Sequence, residues 1–493
     1  MVRQRLTKFA FYRYRYVFAY TAFGVSLAAL LLLAGFYLPG GLTQTEIHSM
    51  LVSDSLSISH LLNLPPDQLM YLPYRIIQAA SIALFGVSVI SIKLPSILLG
   101  FGSAIGLVYL LNLWYKKNVA IIVAILAVTT TQFLLTSQAG QPGISYIFIS
   151  VVVLIAASMI ARQSAYAKIW ALVGFVFAAI SLYMPLNIYL LLALVLTALI
   201  HPHARYLVFQ KSSKSIIGIG MLLALIISLP LIIGIINQPS ILKVLFGIPT
   251  DFNEFLSNAS LLLSNYASFI EPRSSTVIAP IYGLGLVMLI AIGLYRLFTA
   301  KYTARSYLIS FLLVALVPFV LLNPHLVSIT FVPVMLLVAL GVDYIISSWY
   351  RLFPKNPYAR VFGLAPLGIL MIGLVLSSVD RYAYGLHYDS AIYSSYSYDL
   401  PLLQKKLATL DSDTSVILVA TNKNSEFYRS FGVHQRYVDS FTVVSTATNL
   451  PKADVIIVER QFAQHSTQVP VEILVTRASS EANRFYVYKN NAS

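Results

Sequence analysis

Residues 39–75 form a polar stretch between two apolar regions, and they gather side chains able to do acid–base or charge chemistry: Glu46, His48, Asp54, Asp67 and Arg75. Glu46 is the first acidic residue of the chain. Lys93 follows, isolated in an apolar stretch, and Arg273 lies in a second long polar segment at 237–276. A carboxylate beside an apolar phase can serve as a general base, because partial desolvation raises a carboxyl's pKa toward the working range. Cations at the same boundary can hold an anionic group such as a phosphate. Each residue also has a plainer reading. Glu46 can cap or solvate a loop helix, Lys93 can snorkel from a helix end, and Arg75 and Arg273 can pair with Asp67 and Glu271. On a helix, residues 46 and 54 differ by about 80° around the axis, so Glu46, His48 and Asp54 share a side only loosely. They match no known metal-ligand spacing, and a solvated amphipathic helix is the favoured reading of that segment. His325 belongs to an Asn-Pro-His sequence that is also an ordinary tight turn.

The elements that position these residues follow from composition. Of the 493 residues 58% are hydrophobic and 10% charged, whereas soluble domains carry about 25% charged residues. Apolar runs long enough to cross a hydrocarbon core recur along the chain, so the fold class is a polytopic α-helical membrane protein. Spans are expected at 17–38, 94–114, 119–136, 145–161, 169–184, 187–200, 216–236, 277–295, 306–322, 326–347 and 361–379, about eleven in all. Residues 76–92 are expected as a helix at the outer interface. The basic N-terminus and the basic loops near 116, 162, 205, 296 and 351 fall on one side, which the positive-inside rule makes cytoplasmic. That side holds 18 Lys/Arg and one acid, Asp343. The net charge of +15 is therefore topological information and no nucleic-acid footprint. The 39–75 and 237–276 loops then face outward. The span centres carry essentially no ionisable residue, which disfavours a transporter or pump. The absence of cysteine excludes disulfides, thiol nucleophiles and thiolate metal sites, and no nucleotide-binding glycine loop follows a strand.

From about residue 380 the composition changes. A Tyr-rich linker at 381–398 leads to residues 399–493, expected as a small extracytoplasmic α/β domain. Asp399 is expected at the N-cap of a helix over 399–410, with a second helix near 425–431. Strands are expected at 415–420, 454–459, 472–476 and 484–488 in a mostly parallel sheet.

Several motifs carry a family resemblance: the long outer loop with an early acid, Tyr71-Leu72-Pro73, the stretch LFGVSVISIKLPSILLG at 84–100, the turn SQAGQPG at 137–143, and Pro333 in a late span. In these the chain resembles the GT-C glycosyltransferases, the protein O-mannosyltransferases and lipid A aminoarabinose transferases among them. The resemblance covers the layout of most of residues 1–380, and its sharpest part is 84–100. It implies transfer of a sugar from a polyprenyl-phosphate donor to a glycan, lipid or protein acceptor on the outer face of the plasma membrane. Glu46 would be the base, and Lys93, Arg75 and Arg273 would bind the lipid phosphate. His48, Asp54, Gln141 and His325 would be neighbours of the acceptor or of a metal. No cofactor is specified, and a divalent cation stays open. The chain departs from the family pattern where Thr45 precedes Glu46 in place of an acid, where Gly143 or Gln141 stands in the second outer turn, and where Lys93 replaces an arginine. These departures support an alternative reading, a catalytically silent relative that binds lipid-linked glycan or serves as an assembly partner. A lipid or glycan transporter is the third.

Overall fold

The structure is a computed structural model that describes residues 10–36, 40–57, 61–208, 214–248, 255–267, 281–299, 303–353, 356–388, 390–446, 453–463, 469–476 and 483–489. The chain divides into two compact units. One comprises Met1–Phe36, Ile58–Pro73 and Ser96–Gly385; the other comprises Tyr37–Ser57, Tyr74–Pro95 and Leu386–Ser493.

The first unit is helical. Six helices among the described residues are long and apolar enough to cross a membrane: Val89–Trp114, Gly143–Ala161, Lys214–Asn237, Ala304–Leu322, Pro324–Leu352 and Phe362–Tyr388. A bent pair, Lys117–Thr129 and Thr131–Gln138, makes a seventh if counted as one span. The count of about eleven is not reached on length. Ala167–Ser181, Ile188–Ile200 and Leu284–Thr299 occupy expected spans with 15, 13 and 16 residues, fewer than the roughly 20 that a perpendicular crossing needs. The expected span at 119–136 is broken by a 59° bend. Thr130 is extended there (ψ 142°), and its hydroxyl accepts the Phe133 N–H to cap the second half. Tyr71 adopts a left-handed conformation (φ 59°). Its N–H donates to the Tyr183 carbonyl at 3.0 Å, and its hydroxyl lies 3.0 Å from that of Tyr146.

The second unit joins three distant pieces of chain. Strand β1 (Leu42–Thr43) and helix α1 (Gln44–Asp54) come from the 39–75 loop. Helix α2 (Leu72–Phe85) and the start of helix α3 (Val89–Trp114) follow. The expected single helix over 76–92 is in fact two. Gly86 ends α2 in the left-handed conformation (φ 73°), with its N–H on the Ile82 carbonyl at 2.8 Å, the common helix stop. Ser88 and Ser91 then cap each other: the Ser91 N–H donates to Ser88 Oγ at 3.1 Å and the Ser88 N–H to Ser91 Oγ at 2.9 Å. The last piece contributes β2 (Tyr396–Ser397), α4 (Asp399–Leu407), β3 (Ser415–Val419), α5 (Asn422–His434), β4 (Ser440–Val444), β5 (Val455–Glu459), β6 (Glu472–Val475) and β7 (Asn483–Lys489).

The five-stranded sheet has the order β4-β3-β5-β7-β6. It is mixed: β3 pairs in parallel with β4 and β5, whereas β7 is antiparallel to β5 and β6. Only the buried strands β3 and β5 read as continuous apolar runs. The edge strand β4 has no fully buried residue and lacks such a run. Asp399 is not an N-cap. It sits inside α4 with no capping bond, and its carboxylate takes two bonds from Arg484, 2.7 and 2.8 Å, and one from the Tyr428 hydroxyl. One hydrophobic cluster runs through the whole unit, from Leu42 and Met50 through Ile82, Val87 and Ile92 to Leu403, Leu418, Phe431 and Phe485. α1 also reaches α5 through Asp54, which accepts from Ser430 Oγ at 2.6 Å and lies 2.8 Å from His434 Nε2.

A Cβ on Gly86 would lie 3.0 Å from the His434 carbonyl oxygen. Gly86→Ala is therefore expected to cost about 1–2 kcal/mol from the left-handed backbone alone, seen as a lower unfolding midpoint of the purified chain. An unchanged midpoint would show that the α2–α3 turn tolerates a side chain.

Candidate functional site

The site grows from a local signal. Thr43-x-x-Glu46 is a capping box, and both halves form: the Glu46 N–H donates to Thr43 Oγ1 at 3.2 Å, and the Thr43 N–H donates to Glu46 Oε2 at 2.7 Å. The Thr43 hydroxyl also reaches Oε2 at 3.1 Å. Glu46 Oε2 is thus held by its own helix terminus. Oε1 instead faces Lys93, whose Nζ is 3.4 Å away. Each side chain of the pair is only 1% exposed. Lys93 sits in the first turns of α3, where the Ser88–Ser91 cap sets the helix start. Its ammonium also donates to the Gly41 carbonyl at 3.1 Å and lies 5.4 Å from the centre of the Tyr396 ring. Lys93 is therefore a buried partner of Glu46 and does not snorkel.

The surroundings explain why this geometry holds. Thr43 and Tyr396 are cross-strand partners in the β1–β2 pair. A Cβ on Gly41 would meet the Ser397 carbonyl oxygen at 2.4 Å, so only glycine lets the strands approach and presents its own carbonyl to Lys93. Gln78, fully buried, fastens α1 to α2 and α3. Its Oε1 accepts from Ser49 and Ser53 at 3.1 and 2.7 Å, and its Nε2 donates to the Ile92 carbonyl at 3.1 Å. Burial pushes the Tyr396 phenol above its ordinary range, and the nearby Glu46 carboxylate adds to this.

The other expected site residues are distributed over both units. Arg75 is buried in α2, 7% exposed. His48 is exposed on α1. Asp54 is taken up by Ser430 and His434. Gln141 and His325 lie in the helical unit: the Gln141 carbonyl accepts from Ser96 Oγ at 3.2 Å, and His325 is exposed. Arg273 lies outside the described residues. Among the described residues no three His, Asp or Glu side chains converge. Tyr396, Gly41 and Gln78 were missed. The Tyr-rich linker and the Gly40-Gly41 pair were the available signals for the first two; a lone Gln on an apolar helix gave none.

Residues 73–233 match the family described as dolichyl-phosphate-mannose-protein mannosyltransferase. The structure superposes on ArnT from Cupriavidus metallidurans, solved with undecaprenyl phosphate, with a TM-score of 0.52 and 13% identity, covering 95% of this chain and 98% of that one. This is the GT-C glycosyltransferase fold. The matched family is described by a dolichyl-phosphate-linked sugar donor, and this chain is a multi-pass helical membrane protein. The Archaeoglobus fulgidus oligosaccharyltransferase, solved with zinc and sulfate, gives a TM-score of 0.49 at 10% identity over 89% of this chain and 68% of that one. No curated protein sequence matches.

A buried ion pair cannot lose one partner cheaply, because the other is left charged and desolvated. Lys93→Met should destabilise the chain by about 3 kcal/mol, and Glu46→Gln combined with Lys93→Met should recover much of that. The check is a double-mutant cycle of unfolding midpoints; additive losses would mean that the two groups are not coupled.

Proposed function

We propose that the chain transfers a sugar from a polyprenyl-phosphate donor to an acceptor hydroxyl, with Glu46 as the base. The observation that carries this is the Glu46–Lys93 pair: one carboxylate, oriented through Oε2 by its own helix cap, presents Oε1 to the Lys93 ammonium in an enclosed setting. The acceptor hydroxyl gives its proton to Oε1. Its oxygen forms the new bond to the sugar's anomeric carbon as the bond from that carbon to the phosphate oxygen breaks. The electron pair leaves on the lipid phosphate, where Lys93 and Arg75 supply positive charge and Arg273 is a further candidate. In this reading the apolar runs, the three shorter helices included, make about eleven crossings of a plasma membrane. The N-terminus is cytoplasmic and residues 399–493 are extracytoplasmic, so the 39–75 loop meets donor and acceptor on the outer face.

One observation favours the second reading, a relative that binds lipid-linked glycan without transferring it. Glu46 and Lys93 already satisfy each other at 1% exposure, and a working base has to be released to its substrate.

The test uses the purified chain with a radiolabelled polyprenyl-phosphate sugar and a panel of glycan, lipid and peptide acceptors. Wild type is expected to form product, and Glu46→Gln to lose about 100-fold or more of the rate while still binding donor. Donor binding without turnover in wild type selects the silent relative. Undiminished turnover in Glu46→Gln removes Glu46 as the base.

A further inference from the structure

The helical unit holds a cavity that the transfer chemistry does not use. It has a volume of about 510 Å³ and lies between the ends of four helices. Trp114 closes Val89–Trp114, Arg162 follows Gly143–Ala161, Ala198 is near the end of Ile188–Ile200, and Arg305 begins Ala304–Leu322. Two chemistries meet there. The wall is apolar, and the neighbouring surface is apolar and exposed, with Val195 at 54% and Ile200 at 51%, a face suited to acyl chains and not to water. The remaining lining side chains include Arg162 and Arg305, both exposed, and no carboxylate. Trp114 is fixed in the wall by its Nε1–H bond to Ser158 Oγ at 2.7 Å, and Arg305 donates to the Trp114 carbonyl. Tyr166 and Tyr206 stand exposed nearby in sequence, as aromatic residues do at a lipid headgroup level. Lys116, Lys117, Lys168 and Arg205 flank the same helix ends.

We propose that this cavity is a binding site for an anionic glycerophospholipid, with one acyl chain in the apolar cavity and the phosphate between Arg162 and Arg305. Charge complementarity selects the anionic headgroup, and the apolar mouth selects a membrane lipid over a free phosphate. The site stands at the basic end of the helical unit, the end that the positive-inside rule assigns to the inner leaflet. It does not depend on the transfer reaction, since none of its residues belongs to the Glu46 site.

The experiment equilibrates the purified chain with phosphatidylcholine vesicles, with and without phosphatidylglycerol, and then with detergent, and counts retained lipid by native mass spectrometry. Wild type is expected to retain phosphatidylglycerol over phosphatidylcholine. Arg162→Gln, at an exposed position, should lower that preference about fivefold, the effect of one cation near a lipid headgroup. Ala198→Phe, which fills the cavity from its apolar side, should lower retention of phosphatidylglycerol with both arginines intact. Equal retention of the two lipids by wild type overturns the proposal. So does an undiminished preference in Arg162→Gln, or retention unchanged in Ala198→Phe.

Discussion

A carboxylate and an ammonium, each 1% exposed and 3.4 Å apart, impose the strictest condition on this structure. Removing two charges from water costs several kcal/mol per ion, and their attraction offsets that only when geometry and further hydrogen bonds are good. The chain around Glu46 and Lys93 meets the condition from both sides. Thr43 holds Oε2 with its backbone and hydroxyl, and the Gly41 carbonyl accepts a hydrogen bond from Nζ. Gly41 can do so because it lies against Ser397 in a strand pair too close for a side chain. The pair's geometry therefore rests on residues near position 396, far along the chain from either partner.

The same dependence appears in the apolar packing. Met50 of α1 and Ile92 of α3 belong to one cluster with Leu403, Phe431 and Phe485. The buried amide of Gln78 joins α1, α2 and α3 through three hydrogen bonds. A polar group so placed is costly unless satisfied, and it is satisfied only when all three helices are in register. Long-range contacts of this kind carry the loop-closure cost that slows folding. Residues 42–54 share their core with residues that lie beyond 386.

Much of this was legible in the residues themselves. The apolar runs and the scarcity of charge identified a helical membrane chain, because crossing a bilayer requires long apolar helices whatever their packing. Glu46 could be read as a helix cap, because a capping box is complete within four residues. The strands β3 and β5 were visible because fully buried parallel strands are apolar on both faces. The motif at 84–100 pointed to the family to which residues 73–233 match.

Other features had no local signature. The breaks at Thr130 and Gly86–Ser88 interrupt apolar stretches that read as continuous, since a helix end costs only a few hydrogen bonds that nearby hydroxyls can replace. β4, half exposed at a sheet edge, lacked a pattern of its own. Asp54 looked like a neighbour of Glu46 and is bound instead to Ser430 and His434. Glu46 and Lys93 could each be named as a charged residue in a favourable place, but composition and spacing act over a few turns of chain. The pairing of the two, and the placing of Tyr396 beside them, was decided by tertiary structure, because only the shared core and the β1–β2 pair bring those segments within reach of one another.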